Sequence, residues 1–181
     1  RIGINGFGRI GRQVVRAAID RGAPLEFVAV NDITDAGTLA HLLRYDSVQG
    51  TWTPAASRAV DGHLRVGDRS IQVLSEKDPA KLPWRALGVQ AVLEATGKHT
   101  DRAGGALHLD AGARNVLISA PAKGADLTFV FGVNDAGFDP RRHAVVSIGS
   151  CTTNCLAPVV KVLHAAFGIE HGFMTTIHAY T

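Results

Sequence analysis

Eight residues near the start of the chain, "INGFGRIG" at 4–11, constrain the fold more than any other stretch. They join "RIGIN" at 1–5, which reads as a short strand, to "RIGRQVVRAAIDRG" at 9–22, whose apolar residues recur at helical spacing. The junction contains Gly6-x-Gly8-x-x-Gly11. Between a strand and a helix, the first glycine permits a tight turn. The second lets a bound group approach the backbone, and the third lets the helix lie close to the strand. Such a helix N-terminus aims unpaired N–H groups and the positive end of its dipole at an anion, the setting for a pyrophosphate. The next strand, "LEFVAVND" at 25–32, ends in Asp32, 21 residues past Gly11. A carboxylate there accepts both hydroxyls of an adenosine ribose and repels a 2′-phosphate, which favours NAD over NADP. The competing reading makes Asp32 a cap for the helix that follows.

The apolar period keeps switching along the chain. A helix is expected over 35–46, with Thr34 or Asp35 to cap it, and an antiparallel meander over 57–75, split at Asp61-Gly62 and Gly67-Asp68. Strands at 91–96, 115–120, 128–134 and 144–148 and a helix at 101–113 complete the alternation. Short connections between alternating strands and helices predict an α/β fold. Its sheet is doubly wound, mostly parallel and Rossmann-type, with the antiparallel meander as an insertion.

With 181 residues, 46% hydrophobic and 19% charged, the chain can bury the core of one domain, or of one domain and part of another. Its net charge of +3 is scattered, so no nucleic-acid footprint is expected. No apolar run reaches the roughly 18 residues needed to span a bilayer, and two cysteines make no disulfide framework. A reducing, cytoplasmic setting is the expectation. The chain opens on Arg1, so its natural start is expected to precede it.

Both cysteines fall in "SIGSCTTNCLAP" at 147–158. Helical spacing resumes at Cys151, with Ser150 placed to cap the helix and Pro158 inside it. A nucleophile in a first turn is served by the helix dipole, which favours an anion there. Cys155 lies one turn on, about 6 Å away by helix geometry. No second Cys/His pair stands at ligand spacing, so no metal is expected. A disulfide between the two is geometrically open but unexpected in a reducing compartment. The reading that fits best makes Cys151 the reactive thiol and Cys155 a small core residue. His178, in the strand-like "GFMTTIHAYT", would reach Cys151 if that run returned beside the helix.

The segments "INGFGRIGR", "VND", "YDS", "SEKDPAKLPW", "EATG", "ISAPAKG", "GVN", "SCTTNCLAP" and "TTIHAYT" resemble, in order and spacing, the phosphorylating glyceraldehyde-3-phosphate dehydrogenases. The resemblance covers the whole chain, and "SCTTNCLAP" with a His 27 residues after its first Cys is its most specific part. It implies an NAD-binding domain over 1–149 and, over 150–181, the beginning of an α+β catalytic domain. The family's chain is longer, so residues 1–181 are expected to be part of a larger protein. Cys151 would be the catalytic nucleophile and His178 its base. Asn5, Gly6, Gly8, Arg9, Ile10 and Gly11 would line the pyrophosphate turn, Asp32 the ribose and Lys77 the adenine. Thr96, Gly97 and Ser119 would line the cleft. Ser150 and Thr152, beside Cys151, would bind the attacking phosphate, and Thr181 the phosphate of the substrate. The implied reaction oxidises glyceraldehyde 3-phosphate with NAD and inorganic phosphate in glycolysis or gluconeogenesis, in a cytoplasmic homotetramer with neither nucleic acid nor membrane as a primary partner.

Three stretches depart from the family's usual pattern: Ser147-Ile148-Gly149-Ser150-Cys151, Lys98-His99, and "SVQGTW" at 47–52. They keep erythrose-4-phosphate dehydrogenase open as an alternative. A nucleotide-binding or thiol-sensing module without turnover is the rival from another class.

Overall fold

The computed structural model describes residues 1–53 and 58–178, so Ser57 of the expected meander and Thr181 of the expected phosphate site lie outside the described residues. The first strand, β1 (Ile2–Asn5), leads through the glycine turn into α1 (Arg9–Asp20) and on to β2 (Phe27–Asn31). Gly22, at φ +59°, ends α1 in the left-handed region that glycine occupies without strain. Asp35, not Asp32, caps α2 (Ala36–Arg44): its Oδ1 accepts from Thr38 N at 2.9 Å. A short hairpin follows, β3 (Tyr45–Asp46) with β4 (Gly50–Thr51).

The antiparallel stretch consists of β5 (Arg58–Val60), β6 (His63–Val66) and β7 (Arg69–Leu74). Its last strand also pairs in parallel with β2, so the meander extends the edge of the main sheet. A 3-10 turn at Pro79–Lys81 precedes β8 (Ala91–Glu94), α3 (Arg102–Asp110) and β9 (Asn115–Ile118). The chain then passes through β10 (Leu127–Thr128) and β11 (Val145–Ser147) into α4 (Cys151–Phe167). The nine strands of the sheet run in the order β10-β11-β9-β8-β1-β2-β7-β6-β5. From β10 to β7 every neighbouring pair is parallel.

Parallel strands are covered on both faces, which is why β2 is buried along its whole length. One apolar layer joins Ile4, Phe7, Val15, Val30, Leu39, Leu43, Leu64 and Ile71 beneath α1 and α2. The other gathers Ala29, Leu82, Val89, Val92 and Ala113 around Trp84. Trp84 lies so close over β1 that a Cβ on Gly3 would sit 2.9 Å from its ring. A third, smaller cluster of Val116, Ile118 and Val145 lies under α3, where Gly105 allows the close approach.

Three sequence expectations fail for identifiable reasons. Over 128–134 only Thr128 pairs in the sheet. Beyond it, Gly132 at φ +74° and Asn134, whose Oδ1 accepts from Val130 N at 2.8 Å, turn the chain back. A local side-chain bond of this kind competes directly with a strand ladder. The run 171–178 forms no strand: its residues are exposed, and its backbone finds no ladder partner among the described residues. Cys155 is exposed rather than core, because no residue of α4 is buried.

Candidate active site

The register of the three central strands aligns Asn5 with Asn31 on one side and with Glu94 on the other. The turns that leave these strands therefore emerge side by side at the carboxyl edge, where open α/β sheets hold ligands. At the first of them, Gly6 has φ +91°, and a Cβ there would lie 2.6 Å from Thr96 N. A Cβ on Gly11 would clash with Gly6 O, so α1 closes onto the turn only with glycine present. Gly8 differs: a Cβ on it would meet nothing within 4 Å, so its backbone faces open space.

Gly8 is also the N-cap of α1, and no side chain caps that end. Side chains cap α2, α3 and α4: Asp35, Asp101 and Ser150 respectively. The first-turn N–H groups of α1, at Arg9, Ile10 and Gly11, are thus left to an outside acceptor, and the dipole favours an anionic one. Arg12 holds the turn from below by donating from Nη1 to Phe7 O at 3.0 Å. These features fit a pyrophosphate.

Asp32 serves the same turn. Its Oδ2 accepts from Phe7 N at 2.8 Å and its Oδ1 from Thr34 N at 3.0 Å. The half-buried carboxylate keeps acceptor capacity on both oxygens, as a ribose diol requires. Lys77 is exposed, in the loop after β7. On the other side, Thr96 donates from N at 2.8 Å and from Oγ1 to Glu94 Oε1, and Lys98 N donates to Thr96 Oγ1 at 3.1 Å. Gly97 is exposed at φ +72°. Ser119, half-buried after β9, donates its N–H to Glu94 O at 3.0 Å. Asn5 is buried, and both ends of its side-chain amide are engaged internally: Nδ2 with Glu94 Oε2 at 2.6 Å and Oδ1 with Asn31 Nδ2 at 2.7 Å.

A buried polar cluster beneath these turns was not anticipated from sequence. Glu94 and His108 are 1% and 0% exposed, with His108 Nε2 3.0 Å from Glu94 Oε2. Trp84 Nε1 donates to His108 Nδ1 at 3.0 Å. Burial pushes the Glu94 carboxyl up, but hydrogen bonds from His108, Thr96 and Asn5 outweigh it and hold the group below its ordinary value. The available signal was a lone acid in an otherwise apolar strand, "AVLEAT".

Three strand intervals from β1, about 14 Å at the usual spacing, β11 delivers Cys151 to the same carboxyl edge. Ser147 Oγ donates to Ala120 O at 2.7 Å and accepts from Gly149 N at 3.0 Å, which sets the turn into α4. Ser150 Oγ then accepts from Thr153 N at 2.9 Å. Cys151 is exposed in the first turn, with Thr152 half-buried beside it. His178 is not brought to the thiol: it is exposed and 2.7 Å from Thr176 Oγ1. A ligand engaging both the glycine turn and Cys151 must therefore lie extended along the sheet edge.

Comparison with known proteins places the chain in a family. Residues 1–102 match the family model described as "Glyceraldehyde 3-phosphate dehydrogenase, NAD binding domain", and residues 150–181 match "Glyceraldehyde 3-phosphate dehydrogenase, C-terminal domain". Glyceraldehyde-3-phosphate dehydrogenase 1 of Streptomyces arenae is 58% identical over 181 residues, which are all of this chain and 54% of that protein. Glyceraldehyde-3-phosphate dehydrogenase of Geobacillus stearothermophilus is 56% identical over 182 residues, covering all of this chain and 53% of that protein. The figures for glyceraldehyde-3-phosphate dehydrogenase 1 of Bacillus subtilis are the same. The chain spans about half the length of the curated relatives it matches.

Proposed function

This chain belongs to the glyceraldehyde-3-phosphate dehydrogenase family, and on that premise we propose that the full-length protein oxidises glyceraldehyde 3-phosphate to 1,3-bisphosphoglycerate with NAD and inorganic phosphate. The observation that carries the reading is one sheet edge holding both the uncapped N-terminus of α1 and, in the first turn of α4, an exposed thiol. The first-turn amides of α1 and the open backbone of Gly8 receive a pyrophosphate, and Asp32 receives the adenosine ribose. Lys77, Thr96, Gly97 and Ser119 flank the same crevice. Bound NAD supplies the acceptor for the hydride.

The remaining chemistry belongs to the chain. Cys151 adds through sulfur to the aldehyde carbon, forming a thiohemiacetal. In this proposal the full-length protein brings His178 beside Cys151, where it takes the proton from the hydroxyl as the carbon loses hydride, which leaves a thioester on Cys151. Inorganic phosphate, held near Ser150 and Thr152, attacks the thioester carbonyl, releasing the acyl phosphate and the sulfur. Thr181 holds the substrate's own phosphate. This division assigns cofactor binding to residues 1–149 and the start of the catalytic domain to 150–181. The full-length protein is a cytoplasmic homotetramer in the same reading, which light scattering and cell fractionation check.

The deciding experiment is NADH formation by the full-length protein with glyceraldehyde 3-phosphate, with and without phosphate. Phosphate-dependent turnover that Cys151→Ser abolishes is expected. Turnover retained by Cys151→Ser, or faster turnover with erythrose 4-phosphate, overturns the assignment.

A further inference from the structure

The buried cluster beneath the crevice has a direction. Trp84 Nε1 can only donate, so His108 Nδ1 accepts from it and the ring's proton sits on Nε2, which donates to Glu94 Oε2. A second line arrives from the opposite side. Glu76 N donates to Asn31 Oδ1 at 2.8 Å, while Asn31 Nδ2 donates both to Glu76 O at 2.8 Å and to Asn5 Oδ1 at 2.7 Å. That orients Asn5 so that its Nδ2 points at Glu94 Oε2, 2.6 Å away. Thr96 adds two further donors at Oε1. Both lines end in obligatory donors, an indole N–H and a backbone N–H, and they converge on one group that can only accept.

We propose that Glu94 is a positioning residue whose carboxylate fixes both walls of the cofactor crevice, the Thr96 turn directly and the Glu76–Lys77 loop through the Asn5–Asn31 relay. The proposal rests on the cofactor reading above. Glu94 touches neither cofactor nor substrate in it, because it is buried below the turns it holds. No rearrangement of the relay accepts an amide in its place. Glutamine at 94 presents an N–H either to Thr96, whose hydroxyl can turn to accept but whose backbone N–H cannot, or to Asn5 and His108, which already donate. Turning Asn5 over sets its Nδ2 against Asn31 Nδ2, and Asn31 cannot turn in response without setting its amide against the Glu76 backbone. Moving the His108 proton to Nδ1 sets it against the Trp84 N–H. A buried donor without an acceptor is costly enough that the walls shift instead.

The test uses the full-length protein and compares Glu94→Gln with Thr96→Val, which loosens only the near wall. NAD and AMP are titrated by calorimetry, because AMP engages the adenosine side alone. For Glu94→Gln, NAD affinity falls about tenfold, because a buried donor is left unmet whichever way the amide turns; for Asn5→Ser, which cuts the relay itself, AMP affinity falls by about threefold or more. Thr96→Val weakens NAD and leaves AMP unchanged. Asn5→Ser leaves Thr96 and His108 on the carboxylate, and it tests the relay even should Glu94→Gln fail to fold. Weakened AMP binding there supports the proposal, and unchanged AMP binding overturns it. Wild type that binds no NAD overturns the cofactor reading and this proposal with it. Wild type that binds NAD as tightly as a folded Glu94→Gln protein overturns this proposal alone.

Discussion

Gly6 and Gly8 stand two residues apart and answer to opposite constraints. At Gly6 a Cβ would press on Thr96 N at 2.6 Å, with φ at +91°, so Gly6→Ala is expected to destabilise the fold by about 2–4 kcal/mol. At Gly8 the space is empty and φ is −69°, so Gly8→Ala costs less than about 1 kcal/mol yet sets a methyl where the pyrophosphate approaches. Urea unfolding and NAD titration on both variants separate the roles. Gly8→Ala that binds NAD as wild type does removes the cradle from the argument. Glu94 adds a pH dependence. Its folded carboxyl lies below the ordinary value of 4.5, so the unfolded chain takes up the proton first. Its contribution is complete above that value and is lost as pH falls through the folded one. Stability should therefore decline on acidification below pH 4.5, and the wild-type advantage over Glu94→Gln, constant from neutral pH down to that value, should shrink below it. A constant gap between the two urea midpoints contradicts this. Asp126 is held low as well, against its own burial, by Val145 and Arg102, but both proteins share that loss. The glycines and Asp32 were legible because their spacing is local. Glu94 stood in the sequence as an odd acid, but its partners lie 89 and 14 residues away and meet it only through strand order.

Among the elements, α4 depends most on its first turn. Ser150 Oγ is bonded to Thr153 N at 2.9 Å and lies 2.8 Å from Thr153 Oγ1, while Asn154 Nδ2 ties the turn to Ile148 O at 2.6 Å. Pro158 removes a bond further along, and no residue of the helix is buried to compensate. Ser150→Ala is therefore expected to cost about 1 kcal/mol and to raise amide hydrogen exchange at Thr153 and Asn154 ahead of the rest of the helix. Uniform exchange along α4 in the variant means that the cap is not what holds the turn. This helix could be read from its apolar spacing together with Ser150. The stretch 128–134 could not, because its strand-forming residues lose to Gly132 and to the side chain of Asn134. Propensity favours a strand there, and one local hydrogen bond decides otherwise.

Across the whole molecule, burial is divided unevenly. The sheet and the helices covering it bury, wholly or in part, most large apolar side chains up to β11, whereas the described residues of α4 and of the run after it include no buried one. Val159 is 54% exposed and Phe167 83%, and Leu156, Val160 and Leu163 complete the face, with Val162, 67% exposed, beside it. Large side chains at this spacing form a continuous apolar surface rather than scattered exposed residues, and such surfaces drive association. A polypeptide of residues 1–181 made alone should therefore elute above the size expected for its 19.1 kDa and bind a hydrophobic dye, while residues 1–149 elute as a monomer with little dye uptake. Replacing Val162 with Lys and Phe167 with Glu, at two of the helix's most exposed positions, should restore the monomer without lowering the melting temperature, since neither side chain is buried. A 1–181 polypeptide that runs as a monomer and ignores the dye would show that α4 hides this face against its own sheet. Loss of folding in 1–149 would show that α4 supports the sheet rather than standing clear of it. Either result would place Cys151 in surroundings different from those described, so size and dye binding also test whether the thiol stands open at the edge of the sheet.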